Sequence, residues 1–170
     1  MIRQAGATVA QLIGGTAREI AEVGVRDGKH AWGLLCAFPL AHLTLVDHYR
    51  PYAEPGFAWP EALQDQYYAE TFRRFFRDRH RVTLMTRTSV QAAGLFPEGF
   101  FDFVYIDAGH DQAACDLDLW WPKIRPGGFL GGHDYDLVWP EVIRAVDAFV
   151  VAHGLTVSAA NYDWLVQKSC

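Results

Sequence analysis

The chain has 170 residues, 51% of them hydrophobic and 21% charged, which points to one folded domain, residues 1–170, large enough to bury a core without disulfide staples. Its 15 Lys and Arg against 20 Asp and Glu leave a net charge of −5, which excludes broad electrostatic attraction to a nucleic-acid backbone. No apolar run reaches the roughly 18–20 residues of a membrane span, and the first residues lack the pattern of a secretory signal. Cys36, Cys115 and Cys170 are too far apart for a zinc spacing or a disulfide framework, so a reducing cytoplasm is the expected compartment.

In chain order, residues 8–18 read as a short helix with Val9, Leu12 and Ile13 on one face. Residues 20–25 read as a strand, with Gly24 to Gly28 as its turn, and 29–38 as a buried helix stopped by Pro39. Residues 42–47 form a strand. The stretch 50–60, with three prolines and a glycine, reads as a loop. Residues 61–79 form an amphipathic helix, 81–85 a strand, and 89–96 a short helix behind the cap candidates Thr88 and Ser89. Residues 102–107 are a strand of aromatic and β-branched residues, 111–121 a helix, 127–132 a Gly-rich strand and 138–153 a helix. Two closing strands, 155–159 and 162–168, lie too near each other for a helical crossover and are expected to pair antiparallel. Alternating strands and helices predict an α/β, doubly wound, mostly parallel sheet with helices on both faces.

The first strand and its turn read Glu22-Val23-Gly24-Val25-Arg26-Asp27-Gly28. A glycine at 24 permits a tight turn and close approach of a ligand, and one at 28 lets the next helix pack close to the strand. The second strand ends in Asp47, nineteen residues beyond Gly28, where a carboxylate can accept hydrogen bonds from both hydroxyls of a ribose. Together these point to a nucleoside ligand. A dinucleotide needs a second glycine where Arg26 stands, so that its pyrophosphate can reach a helix N-terminus. S-adenosylmethionine carries no phosphate and needs no such cradle.

These residues, with FDFVYIDAGHDQAACDLDLWWPKIRPGGFLGGHDY downstream, make the chain resemble a class I S-adenosylmethionine-dependent methyltransferase, and most closely the small bacterial methyltransferase family 24. The matching motifs are an Asp-aromatic-Val-aromatic-Ile-Asp strand, an Asp-Leu-x-x-Trp helix, a Lys-x-x-Pro-Gly-Gly turn and a Gly-His-Asp-Tyr end. The resemblance implies a seven-stranded sheet of order 3-2-1-4-5-7-6 with the last strand antiparallel. It also implies that Glu22 and Gly24 line the methionine end of the cofactor, that Asp47 holds the ribose, and that Thr88 and Ser89 lie near the adenine.

Asp107 and Asp134 end strands that are neighbours in that order, beside the cofactor crevice. Two facing carboxylates repel unless a proton or cation sits between them, so Asp107 and Asp134, with His133 as a nitrogen donor, are candidate metal ligands. His110, three residues past Asp107, is the candidate general base, kept neutral by a helix N-terminus. This cluster resembles metal-dependent O-methyltransferases of sugars and phenols. His133 stands where many of those carry an acid or amide; Mg²⁺ prefers all-oxygen ligands, while a His beside carboxylates tolerates Mn²⁺ or another transition metal.

The expected activity is methyl transfer from S-adenosylmethionine to a hydroxyl of a small metabolite or sugar, with catalytic Asp107 and His110 and a possible Mg²⁺ or Mn²⁺. Two alternatives stay open: metal-independent transfer using Asp107 and His110 directly, and a cofactor-binding oligomer without transfer activity. Asp116 is expected to cap and solvate its helix, Trp120 and Trp121 to be core and rim, and the arginines at 73, 74, 77, 79 and 81 to form a solvated surface. The short aromatic-rich chain offers little lid of its own, so a homo-oligomer, most simply a twofold dimer, is expected. The partner is a small-molecule acceptor, with neither nucleic acid nor membrane.

Overall fold

A computed structural model describes residues 2–54 and 56–169. Its elements in chain order are α1 (Gln4–Ile13), β1 (Glu19–Val23), α2 (Lys29–Ala37), β2 (His42–Val46), β3 (Tyr52–Glu54), β4 (Phe57–Trp59), α3 (Glu61–Phe75), β5 (Val82–Met85), α4 (Ser89–Ala93), β6 (Phe101–Ile106), α5 (Ala113–Trp120), β7 (Ile124–Gly132), α6 (Pro140–His153), β8 (Ser158–Ala160) and β9 (Asp163–Gln167). Single 3₁₀ turns at 76–78, 110–112 and 121–123 extend or precede helices.

Seven strands form one sheet in the order β5-β2-β1-β6-β7-β9-β8. With β3 and β4 set aside, this is the order 3-2-1-4-5-7-6. β1, β2, β5, β6 and β7 run parallel, while β9 is antiparallel to both β7 and β8. The alternation from Phe103 to Ile106 along β6 shows why both faces need helices. Phe103 and Tyr105 enter one apolar cluster with Val9 of α1, Leu34 of α2 and Phe75 of α3. Val104 and Ile106 enter the other, with Ala92 of α4, Leu117 and Trp120 of α5, and Val146 of α6. All six residues of β6 are buried, as a central parallel strand covered on both sides must be.

Four expectations are corrected. Residues 52–59 are not an irregular loop: Tyr52 pairs with Trp59 and Glu54 with Phe57 in an antiparallel hairpin outside the main sheet. Alternating aromatics supply it with cross-strand contacts, Tyr52 stacking on Trp59 at 4.5 Å. The first helix begins at Gln4 and ends at Ile13, because Asp163, 2% exposed on β9, accepts a hydrogen bond from the Ala5 amide at 2.7 Å and secures its first turn. The fifth strand of the parallel set starts at Ile124, not 127. The arginines are also not uniformly solvated. Arg81 donates to the carbonyls of Phe38 and Ala41 just past α2, and Arg74 to that of Asp27.

Candidate active site

The carboxyl ends of β1, β2, β5, β6 and β7, with the β3–β4 hairpin, surround a cavity of about 910 Å³. Its lining runs from Glu22 and Gly24 past Ser89 and Asp116 to Trp59 and Trp139. All ten of the candidate site residues except Gly28 line it; Gly28 lies at the foot of α2, outside the lining.

Gly24 follows β1 with φ +85°, and a Cβ there would stand 2.0 Å from the Asp107 carbonyl oxygen. Its lack of a side chain lets the ends of β1 and β6 come together. Gly28 has φ +73° and caps α2, but a Cβ on it would meet Phe75 and Thr71 of α3. The close packing it permits is therefore helix on helix, and the expected helix-on-strand role is corrected. Arg26 between them also has a positive φ, 55°, a conformation that costs a non-glycine residue energy and needs outside support. Asp47 supplies it. Its Oδ2 accepts from the Val25 and Arg26 amides at 2.9 Å each, and its Oδ1 accepts from Tyr49 N at 2.9 Å.

Glu22 is 1% exposed, with one carboxylate oxygen 3.1 Å from His30 Nδ1. Its Oε2 has no partner among the described residues, nor has His30 Nε2. Thr88 caps α4 in a reciprocal capping box with Gln91, as expected. Ser89 Oγ donates to Asp116 and accepts from Trp120 Nε1 at 2.8 Å. Asp116 is 1% exposed, so its expected place on a solvated helix surface is corrected. Burial pushes Asp116 up to about 6, with Asp111 adding and Ser89 opposing.

At the other side of the cavity Asp107, His133 and Asp134 each present a ligand atom within 4.8 Å of the others. The expected mutual repulsion of two bare carboxylates is corrected, because each already has countercharges. Arg3, at the start of α1, reaches Asp107 Oδ2 at 2.6 Å. Asp134 Oδ2 lies 2.9 Å from His110 Nε2, and its Oδ1 2.7 Å from His133 Nδ1. Burial raises Asp107 to about 6, opposed by Arg3 and aided by Asp134. Burial also opposes ionisation of Asp134, but the hydrogen bonds from the two imidazoles hold it well below the ordinary carboxylate range.

His110 departs from expectation too. Glu54 of the hairpin grips it twice, Oε1 accepting from the His110 amide at 3.0 Å and Oε2 lying 2.8 Å from Nδ1. Its ring stacks on Trp139 at 3.6 Å. Burial works to lower its pKa, and the bonds to Asp134 and Glu54 more than offset this, raising it to about 9. The expected neutral imidazole is therefore an imidazolium at neutral pH, because a carboxylate on each ring nitrogen outweighs any helix N-terminus. Arg3, Glu54, His30 and Trp139 were not among the candidates. The aromatics at 52, 57 and 59 around Glu54 are a signal that could have marked its segment as a strand pair.

The residues present fit an adenosyl ligand: a side-chain-free approach at Gly24, and buried acceptor atoms on Glu22 and Asp116 left without a donor. They fit a divalent cation in spacing and donor type, though Arg3 already holds Asp107.

A family profile described as a methyltransferase domain, family 24, matches residues 21–135. The chain belongs to methyltransferase family 24. Its fold is shared with solved methyltransferase structures of low sequence identity. Cofactor-bound Rv0187 from MTB is 16% identical with a TM-score of 0.74, over 98% of this chain and 80% of that one. The methyltransferase PaMTH1 of Podospora anserina, solved with S-adenosylhomocysteine, is 14% identical with a TM-score of 0.70, over 97% and 77%. The O-methyltransferase TomG of Streptomyces achromogenes, involved in tomaymycin synthesis and solved with S-adenosylmethionine, is 16% identical with a TM-score of 0.67, over 97% and 79%. No curated protein matches the chain. Among its described residues no helix is long and apolar enough to cross a membrane.

Proposed function

We propose that this methyltransferase transfers a methyl group from S-adenosylmethionine to a hydroxyl of a small metabolite or sugar. The observation that carries the reading is the single cavity that joins the Gly24 loop to the Asp107, His110 and Asp134 cluster. S-adenosylmethionine, when bound, supplies a methyl already activated on a sulfonium, so the protein's main task is alignment. Glu22 and Gly24 receive the methionine end, and Thr88 and Ser89 flank the base. Asp47 has three of its roughly four lone-pair sites engaged by backbone amides, leaving one for a ribose hydroxyl.

Tyr52, Phe57 and Trp59 offer flat apolar surface on which an aromatic or sugar ring stacks. Asp107 is the proton acceptor for the hydroxyl; its raised pKa makes it a stronger base than an ordinary carboxylate. His110, as an imidazolium between Glu54 and Asp134, orients the acceptor side and stabilises charge developing there.

A second reading, favoured by the convergence of Asp107, His133 and Asp134, adds Mn²⁺ or Mg²⁺ held by those three residues. The ion would polarise the acceptor oxygen. The expected homodimer would form through the exposed ladder of Tyr68 and Phe72 on α3 and Phe76 on the turn that follows it, and sedimentation at micromolar concentration tests it.

Methyl-labelled S-adenosylmethionine, offered with panels of phenols and sugars, tests the central reading. Label transfer to a hydroxyl supports it. Cofactor binding without transfer to any acceptor would leave a binding protein in its place.

A further inference from the structure

Arg26 holds a place that suits glycine. Its φ of 55° lies in the left-handed region, where glycine sits without strain and other residues do not. Two contacts keep it there: Asp47 accepts from its amide, and the Thr71 hydroxyl of α3 donates to its carbonyl at 3.0 Å. Both engage main chain, so neither needs the guanidinium. The side chain itself is exposed and lines the cavity. No acid forms an ion pair with it among the described residues. The two acids whose charge reaches it, Asp27 and Asp107, are each paired with another cation, Lys29 at 2.5 Å and Arg3 at 2.6 Å. The guanidinium lies 5.4 Å from the centre of the neutral Tyr67 ring, which supports it and leaves its charge unbalanced.

Gln64 is a second polar group without a structural task. It stands on α3 one turn before Tyr67, and residues three apart on a helix share a face. It is 3% exposed and lines the same cavity, yet its side-chain amide has no hydrogen-bond partner among the described residues. Buried amides ordinarily have one. Thr71, further along α3, ties the helix to the Arg26 loop. The helix and loop thus bring a cation and an amide donor to one wall of the cavity. Tyr52 and Trp59 of the hairpin line the cavity too, and Arg26 is near enough for its charge to act on the Tyr52 phenol. A planar anion with two acceptor oxygens matches a guanidinium fork beside an amide N–H.

We propose that Arg26 and Gln64 bind a carboxylate of the acceptor, so that the acceptor class is a hydroxylated ring bearing a carboxylic acid. This rests on the methyl-transfer reading above and narrows it. The ring lies on the hairpin aromatics, its hydroxyl reaches Asp107, and its carboxylate is taken by Arg26 and Gln64. The methionine part of the cofactor carries a carboxylate as well, and the experiment separates the two sources.

Transfer of labelled methyl is measured on the intact chain with hydroxylated benzoic acids and sugar acids, each paired with its carboxamide, which keeps the shape and loses the charge. The wild type is expected to use the acid with a kcat/KM about ten- to hundredfold above that of its amide, the value of hydrogen bonds to a charged group. Arg26→Gly suits the backbone at that position and is expected to fold. It should bring acid and amide within about threefold of each other, while its affinity for S-adenosylhomocysteine, read by calorimetry, changes less than about threefold. Arg26→Lys keeps the charge and should retain part of the preference. Gln64→Leu should lower the acid's kcat/KM about three- to tenfold.

Equal use of acid and amide by the wild type, or transfer to neutral acceptors only, would overturn the proposal and leave the methyl-transfer reading standing. So would an Arg26→Gly protein that keeps the wild-type preference. An Arg26→Gly protein that loses tenfold or more in affinity for S-adenosylhomocysteine would assign the anion site to the cofactor's own carboxylate and overturn it too. Failure of every acid and amide to take label, with S-adenosylhomocysteine still bound, would overturn the transfer reading and this inference with it.

Discussion

Around Gly24 the cavity wall is main chain, and around His110 it is side-chain charge. In the first region three successive special backbone positions, Gly24, Arg26 and Gly28, all have positive φ, and Asp47 spans two of the amides between them. In the second, Arg3, Glu54, Asp107, His110 and the adjacent His133 and Asp134 come from four separated stretches of chain and are held by ion pairs of 2.6–2.9 Å, Arg3 to Asp107, Glu54 to His110, and Asp134 to both imidazoles. A wall of backbone depends on local sequence and tolerates little change. A wall of charges depends on every element that contributes to it and responds to pH.

Substitution can break this contrast most severely at Asp107, where the two regions meet: its carbonyl abuts Gly24 and its carboxylate pairs with Arg3. Asp107→Ala is expected to lower turnover by about 10²–10⁴ while cofactor affinity changes less than about tenfold, as steady-state rates and calorimetry would show. Equal losses in both would place Asp107 with the cofactor alone. Gly24→Ala forces a methyl group against backbone that cannot move aside, and should cost about 3 kcal/mol or more of stability by urea unfolding. An unchanged midpoint would mean that the ends of β1 and β6 are loosely joined.

Glu54→Gln removes one anion from the charged region and leaves the glycine loop untouched. It should reduce turnover by up to about a hundredfold through misplacement of His110. The His110 titration, followed by NMR, should move down from about 9. A folded pKa above the unfolded value of 6.5 gives His110 a stabilising share that is complete below pH 6.5 and lost as pH rises through about 9. Unfolding free energy should therefore fall by about 1–3 kcal/mol across that window in the wild type, and less in Glu54→Gln. Parallel curves for the two proteins would remove Glu54 from the account. The smallest effect is expected from exhaustive chelation. With Arg3 already opposite Asp107, activity should be little changed, and its loss with recovery on adding Mn²⁺ would establish the metal-assisted reading.

The two regions also differ in how far they were readable from the chain. Glu22, Gly24 and Asp47 lie at strand ends whose spacing is short-range, and a turn with glycines after a strand can be read without knowing what packs on it. Asp107 and Asp134 were readable for the same reason. Arg3 was not, since its pairing with Asp107 spans 104 positions and depends on Asp163 anchoring α1. Glu54 was hidden by the prolines that made its hairpin look like a loop, and the charge on His110 followed from that omission.

The sequence by itself determined the alternation of strands and helices and the glycine loop, because hydrophobic period and turn chemistry are local properties that a linear pattern preserves, while the strand order was legible only as what the family resemblance implied. Only the tertiary structure decided the protonation of His110, the countercharge on Asp107 and the buried, half-partnered state of Asp116. Each of those is a balance of desolvation against neighbouring charge, and the neighbours are chosen by packing between segments that the linear chain holds far apart.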